Sequence, residues 1–265
     1  MKLILSVVSE LIRQRWMVWS LAWRDFRHRY VRNLFGIVWA VIDPIVFVGI
    51  LYLIFNSGIG SANTDDVPFI VYILCGNIAF DLFNNLQHLT QVIKDHEFLV
   101  KKMNFNTELL PASRLISSLM IHGIVLAIAL IIILINGIHP TIYWFQLLYY
   151  TLSLAVLLFG TSLLTSSISI FFPDISHIIP IVTRVLFFLT PVFWKMDLLS
   201  EAVSHWLMFN PMVYIVNGYR DSLLYGKGFW LNPNQTIYFW ICSLFILWIG
   251  AHIHRKLRPH FAEVI

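Results

Sequence analysis

Apolar residues in this chain gather into long unbroken runs rather than alternating with polar ones. Six runs approach the roughly 20 residues that a helix needs to cross a bilayer. They cover about Leu34 to Phe55, Phe69 to Phe83, Leu115 to Ile135, Phe145 to Phe171, Ile175 to Phe193 and Ile237 to Ile253. The second and fifth are short or interrupted. Two other stretches are amphipathic. In the first, Ile4, Val8, Leu11, Ile12, Trp16, Trp19 and Trp23 keep helical spacing, while Glu10, Arg13, Gln14 and Arg24 fall off that face. A basic, Trp-rich helix of this kind suits the membrane interface. In the second, Leu86, Leu89, Ile93 and Val100 keep the same spacing. That pattern is read either as an interfacial loop helix or as a docking surface for a cytoplasmic partner.

The segment 194–236 is long for a loop and not very polar. Its LSEAVSHWLMFNPMVYIVNGYRDSLLYG has an apolar face that breaks at Asn210-Pro211. It reads as a helical hairpin dipping into the membrane. Re-entrant backbone is tolerated only where protein or a water-filled cavity surrounds it, which favours a transport pathway over a simple anchor. No internal repeat supports an inverted-repeat transporter.

Charge orients the runs. Lys and Arg number seven in 1–33, none in 56–68, four in 84–114, none in 136–144, none in 172–174 and three in 194–236. Arg255, Lys256 and Arg258 follow the last run. This alternation predicts six spans with both termini cytoplasmic. The chain is therefore read as an all-α polytopic membrane protein, with an N-terminal interfacial helix and a re-entrant outer hairpin. It divides into a basic segment 1–33, spans one to five in 34–193, an outer segment 194–236, and the last span and tail in 237–265. Composition agrees: of 265 residues, 58% are hydrophobic and 12% charged, which excludes an ordinary soluble or disordered chain. The net charge of +4 matches Lys- and Arg-rich loops rather than nucleic-acid binding. Cys75 and Cys242 lie in apolar runs and read as buried thiols. Glu10, Arg13 and Arg15 interrupt the N-terminal apolar stretch too early for a cleavable signal.

Candidate chemistry is sparse. Ser162 with His252 is the one arrangement suggesting an intramembrane enzyme, but GTSLLTSSIS is a run of small residues that more often packs helices. His252 and His254 lack a third metal ligand nearby in sequence. No G-x-x-x-x-G-K-[ST] occurs, so ATP must be bound on a separate chain if it drives transport. A facilitator without an ATPase is the remaining alternative. Ionisable residues within spans are few: Asp43, Asp81 and Arg184. They form no acidic relay for proton coupling. Aromatics crowd the first and fifth spans, where they either face lipid or line a conduit.

Taken in order, RDFRHRYVRNLFGIVWAVIDP, KDHEFLVKKMNFNTELLPASRL, LLTSSISIFFPDISHIIPIVTRVLFFLTPVFW, FNPMVYIVNGYRDSLLYG and KLRPHFAEVI span nearly the whole chain. Together they resemble the membrane subunit of ABC-2-type polysaccharide exporters, the group exporting O-antigen, capsule and wall teichoic acid. FLVKKMNF and SHIIPIVTRVLFFLTPVFW are most similar to the teichoic acid translocation permeases. The resemblance implies a homodimer in the bacterial plasma membrane, in contact with membrane lipids and bound to two ATPase subunits that carry the ATP and Mg. The cargo would be a polymer on undecaprenyl diphosphate. It implies a conduit lined by Phe35, Trp39, Phe47, Tyr52, Arg184, Phe187, Phe188 and Trp194. Leu86, Leu89, Ile93 and Lys94 would couple to the ATPase, with Pro173 and Asp174 as a second contact. Trp206, Asn210, Pro211 and Tyr214 would belong to an outer gate. No catalytic residue, metal or nucleic-acid partner is implied.

Overall fold

The computed structural model describes residues 2–30, 36, 38–54, 67–102, 105–196 and 199–265. Among these there is no strand. The N-terminal stretch forms two helices, α1 (Lys2–Arg13) and α2 (Arg15–Tyr30), hinged at Gln14. Four segments are long and apolar enough to cross a membrane: Phe69–Thr90, Leu109–Ile135, Ile142–Phe171 and Pro233–Val264. They contain α4 (Phe69–Asn84), α5 (Leu86–Thr90), α8 (Leu109–Ile135), α9 (Gln146–Phe171) and α13 (Pro233–Leu257). The two other apolar runs form shorter helices, α3 (Val38–Ile54) and α10 (Ile175–Leu189). The remaining helices are α6 (Val92–Asp95), α7 (Glu97–Val100), α11 (Glu201–Leu207), α12 (Pro211–Arg220) and α14 (Phe261–Val264).

Several boundaries differ from the hydropathy reading. The third span starts at Leu109 rather than Leu115, because Pro111 sits in the first turn, where a missing N–H costs nothing. The last helix runs from Pro233 to Leu257, past both ends of its apolar run. The fifth stops at Leu189 instead of Phe193. Its 15 residues reach only about 22 Å, short of the roughly 30 Å hydrocarbon core.

The bundle is organised around α9 and α13. Gly160 and Gly250 let the two backbones touch: a Cβ on Gly160 would lie 2.7 Å from the Leu247 Cα, and one on Gly250 would strike the Gly160 carbonyl. The GTSLLTSSIS run is thus helix-packing surface, as small residues usually are in membranes. Its hydroxyls bond mainly to backbone carbonyls one turn back, such as Ser162 to Phe159 at 2.9 Å and Ser167 to Leu163 at 2.6 Å.

The interfacial helices wrap one end of this bundle. Val7 of α1 packs with Leu163, Leu247 and Ala251, and Val18 of α2 packs with Leu109 and Ala112. Trp16, Trp19 and Trp23 face outward and are exposed. The C-terminal Phe261 is buried at the same end against Phe171 and His254. Both termini therefore sit at one end of the molecule. Arg114 of α8 joins that end together, 3.0 Å from Asp25 of α2 and 3.0 Å from Asp95 of α6. Arg255 binds Glu108 at 2.8 Å.

Candidate functional site

Between α3, α4 and α10 lies a groove enclosing about 580 Å³. Its α4 wall is a polar stripe. Asn77, Asp81 and Asn84 follow at helical spacing, and Gln87 of α5 continues the line. Asn77 is buried; Asp81 and Gln87 are half-buried. The opposite wall is aromatic and cationic. Phe187 meets Phe47 at 5.6 Å, Phe80 at 5.1 Å and Phe188 at 5.5 Å, edge to face in each case. Thr183 and Arg184 add polar groups to the α10 wall. Arg184 is exposed and makes no hydrogen bond or ion pair among the described residues.

Four of the conduit residues named from sequence, Phe47, Arg184, Phe187 and Phe188, thus share one groove. Trp194 lies beside it: its indole Nε1 donates to the Phe188 carbonyl at 3.2 Å, and its own carbonyl accepts from the Tyr72 hydroxyl at 3.1 Å. Phe35 lies outside the described residues, as do the side chains of Trp39, Asp43 and Tyr52. Asn77, Asn84 and Gln87 were missed. Their signal was a polar line at helical spacing inside an apolar run, and only Asp81 had been singled out by its charge.

The amphipathic stretch after α4 requires a correction. Leu86, Leu89, Ile93 and Val100 do share a face, broken into the short helices α5, α6 and α7. That face is buried within the chain itself. Leu86 and Leu89 join the main core. Ile93 and Val100 pack with Leu110, Ile170 and Phe261. Thr90 bonds Thr165 at 2.9 Å, and Ser169 donates to the Thr90 carbonyl at 3.1 Å, so α5 is seated on α9. Leu86, Leu89 and Ile93 are therefore not free to meet a partner. What the elbow presents outward is Gln91, Asp95, Glu97 and Phe98, with Lys94 half-buried. Pro173 and Asp174, between α9 and α10, are exposed as expected, next to exposed Phe172. Within the elbow, burial holds His96 below the ordinary imidazole range, and its Nδ1–H donates to the Val92 carbonyl at 3.0 Å.

The 194–236 segment turns where the sequence breaks. Asn210 caps α12 by accepting from the Met212 N–H at 3.0 Å, with Pro211 in the first turn. The Asn210 amide also donates to the Thr190 hydroxyl at 2.9 Å. Trp206 of α11 is exposed. Tyr214 is buried, its hydroxyl bonded to those of Tyr149 at 2.9 Å and Thr236 at 3.1 Å. Arg220, which the sequence offered only as one charge in a loop, is 2% exposed. Its guanidinium donates to the carbonyls of Tyr72, Pro191 and Val192 and lies 3.5 Å from the Tyr72 ring centre. It supplies the partners that the irregular backbone after α10 would otherwise lack.

The enzyme reading finds nothing to build on. Ser162 is buried and bonded to its own helix, and His252 stacks outward on Trp248. The buried histidine is His254. Ser167 Oγ accepts from His254 Nδ1–H at 2.8 Å, since the serine proton goes to the Leu163 carbonyl; Thr107 donates to Nε2 at 2.9 Å. This chain of bonds ties the turn before α8 to α9 and α13. Among the described residues no cluster of three His, Cys, Asp or Glu could hold a metal.

Residues 17–224 match the ABC-2 type transporter family. The chain belongs to that family. Its match covers every wall of the groove, the elbow and α12, so these are parts of one ABC-2 transporter unit rather than of an appended module. Curated relatives include an O-antigen export system permease protein, RfbA, of Myxococcus xanthus, 24% identical over 98% of this chain and 100% of the relative. An RfbA of Klebsiella pneumoniae is 22% identical over 91% and 92%. The polysialic acid transport protein KpsM of Escherichia coli is 25% identical over 91% and 93%. The ABC-2 transporter is a multi-pass membrane protein and a transport permease, not an enzyme.

Proposed function

We propose that this ABC-2 permease is the membrane subunit of an ATP-driven exporter that moves an undecaprenyl diphosphate-linked polysaccharide from the cytoplasmic to the outer face. The observation that carries the reading is the groove. A hydroxyl- and charge-rich polymer cannot cross hydrocarbon unaided. The groove offers a polar stripe (Asn77, Asp81, Asn84, Gln87) facing aromatic rings and an exposed cation at Arg184. Amides and carboxylate exchange hydrogen bonds with sugar hydroxyls, rings pack on sugar C–H faces, and the cation meets phosphate. The names of the O-antigen and polysialic acid relatives point to the same class of cargo.

Two of the groove's walls, α3 and α10, also expose Ile45, Val46, Ile181 and Val185. A second copy of the chain covers this apolar face and completes the conduit, making it a property of the homodimer. The end bearing both termini is cytoplasmic, as the charge alternation requires. The ATPase docks there on Phe98 and Glu97 of the elbow and on Phe172, Pro173 and Asp174. The α11–α12 corner at Asn210-Pro211, with Trp206 and Tyr214, forms the outer gate.

The polymer itself divides two readings. FLVKKMNF and SHIIPIVTRVLFFLTPVFW favour wall teichoic acid; the relatives' names favour O-antigen or capsule. One experiment addresses both. Cells depleted of this chain are expected to lose a surface polymer and to accumulate it on its lipid inside. Analysis of the accumulated material for polyol phosphate against neutral repeats identifies it. Arg184→Gln is expected to reduce export at least about tenfold, with Arg184→Lys retaining most of it. Unchanged surface polymer in depleted cells defeats the exporter reading.

A further inference from the structure

A second cavity, of about 410 Å³, lies at the end opposite the termini. It shares no lining residue with the groove. Its walls come from α12, the first turns of α4, α9 and α13, and the loops around 191–196 and 225–229. The size falls within the roughly 300–1,000 Å³ of small-ligand pockets.

The lining follows a pattern. Tyr214 and Asn217 of α12 and Asp221 of the π-helical turn that continues it (Asp221–Tyr225) follow at spacings of three and four. Tyr150, Phe229 and Gln235 face the same space. Tyr150 lies close to α12 because Gly218 has no side chain there; a Cβ would collide with its ring. The Tyr150 and Tyr214 rings stand 5.4 Å apart, and Phe229 is stacked on Tyr149 at 4.6 Å.

The cavity is held in shape from behind. The Gln146 side chain accepts from the Phe229 N–H at 2.7 Å and donates to the Lys227 carbonyl at 3.1 Å. Arg220 uses its guanidinium on backbone carbonyls and the Tyr72 ring, so its donors are not directed into the space. By contrast, the side chains of Asn217, Asp221 and Gln235 make no hydrogen bond to the described residues. Half-buried amides and a carboxylate without hydrogen bonds to the described residues, the carboxylate under the charges of Lys227 and Arg220, take their hydrogen bonds from water or from a ligand.

We propose that this cavity is a saccharide-binding site on the outer face, separate from the groove, which holds a sugar unit. A carboxylate beside carboxamides pairs with adjacent hydroxyls, since each can bridge two of them. Aromatic rings take the apolar C–H face. Lys195 and Lys227 line the same cavity and add ammonium donors, and the charges of Lys227 and Arg220 offset that of Asp221. The orientation, and the exported polymer as the source of the sugar, rest on the exporter reading above; the binding chemistry does not.

The test titrates the full chain, reconstituted in lipid nanodiscs, with di- and trisaccharides of gluco-, galacto- and manno-configuration. The readouts are calorimetry and ligand-observed NMR. The wild-type chain is expected to bind at least one. Asp221→Asn and Asn217→Ala are expected to weaken that binding about tenfold each. Unchanged thermal unfolding shows the fold intact, and Asn217→Ala alone serves if Asp221→Asn fails to fold. The proposal is overturned if none of these saccharides binds the wild type, or if the folded variants bind as it does. Saccharide binding lost in the variants, in cells whose surface polymer survives depletion of the chain, keeps the site and removes the exporter reading instead.

Discussion

Gly160 and Gly250 show how much one missing methyl group decides. The two glycines bring α9 and α13 into backbone contact over the Leu247 position. Gly250→Val places a branched side chain against the Gly160 carbonyl and separates the central helix pair. Overpacking of this kind costs about 1–3 kcal/mol, so a lower unfolding temperature in detergent is expected, while Gly49→Ala, where nothing lies within 4 Å, leaves it unchanged. The small-residue run on α9 announced close packing, but its partner glycine on α13 had no such marker. Arg220 is the opposite case. Nothing in NGYRDSLLYG distinguishes it from a solvated loop charge; it matters because α10 ends at Leu189 and leaves the carbonyls of Pro191 and Val192 to be satisfied.

The elbow α5–α7 illustrates what an amphipathic pattern can and cannot say. Spacing at 86, 89, 93 and 100 correctly marked a buried face. It carried no information on whether that face meets another chain or its own, because both remove the same apolar area from water. The segment also contains a pH-sensitive group. Folding holds His96 below its unfolded value near 6.5 by burying it. Its contribution to stability is therefore present above about pH 6.5 and is lost as pH falls toward the folded-state value, where the unfolded form binds the extra proton. Hydrogen exchange over residues 92–101 is expected to accelerate at pH 5.5 relative to pH 7.5 after correction for intrinsic rates. His96→Gln is expected to flatten that difference; an equal difference in the variant assigns it to another group.

Across the molecule, the buried and exposed sides of the elbow separate folding from partner binding. Leu89, fully buried against α9, is a core position. Leu89→Asp places a charge there and is expected to lower expression and stability by about 3 kcal/mol or more. Phe98 is 54% exposed, so Phe98→Asp is expected to keep the fold and to abolish co-purification of the ATPase subunit. Retention of the ATPase by a folded Phe98→Asp protein moves the docking surface away from the elbow. The groove and the outer cavity follow from the same arrangement. α4 turns its polar stripe toward α10, and α12 turns its own toward α9 and α13.

Local composition is enough to establish the class of the molecule. Six apolar runs, the charge alternation between them and the break at Asn210-Pro211 are properties of local composition, and lipid and water act on composition directly. The family resemblance, rather than composition, implied the conduit residues; of these Phe47, Arg184, Phe187 and Phe188 share the groove, and Trp194 lies beside it. That α4 contributes the polar wall and that the elbow's apolar face is internal follow from the packing of the folded chain. The folded chain alone showed that Arg220 anchors the end of α10 and that Gln235 of α13 converges with Asn217 and Asp221. Such facts depend on which helix lies beside which, and helix neighbours are chosen by packing between residues far apart in the chain.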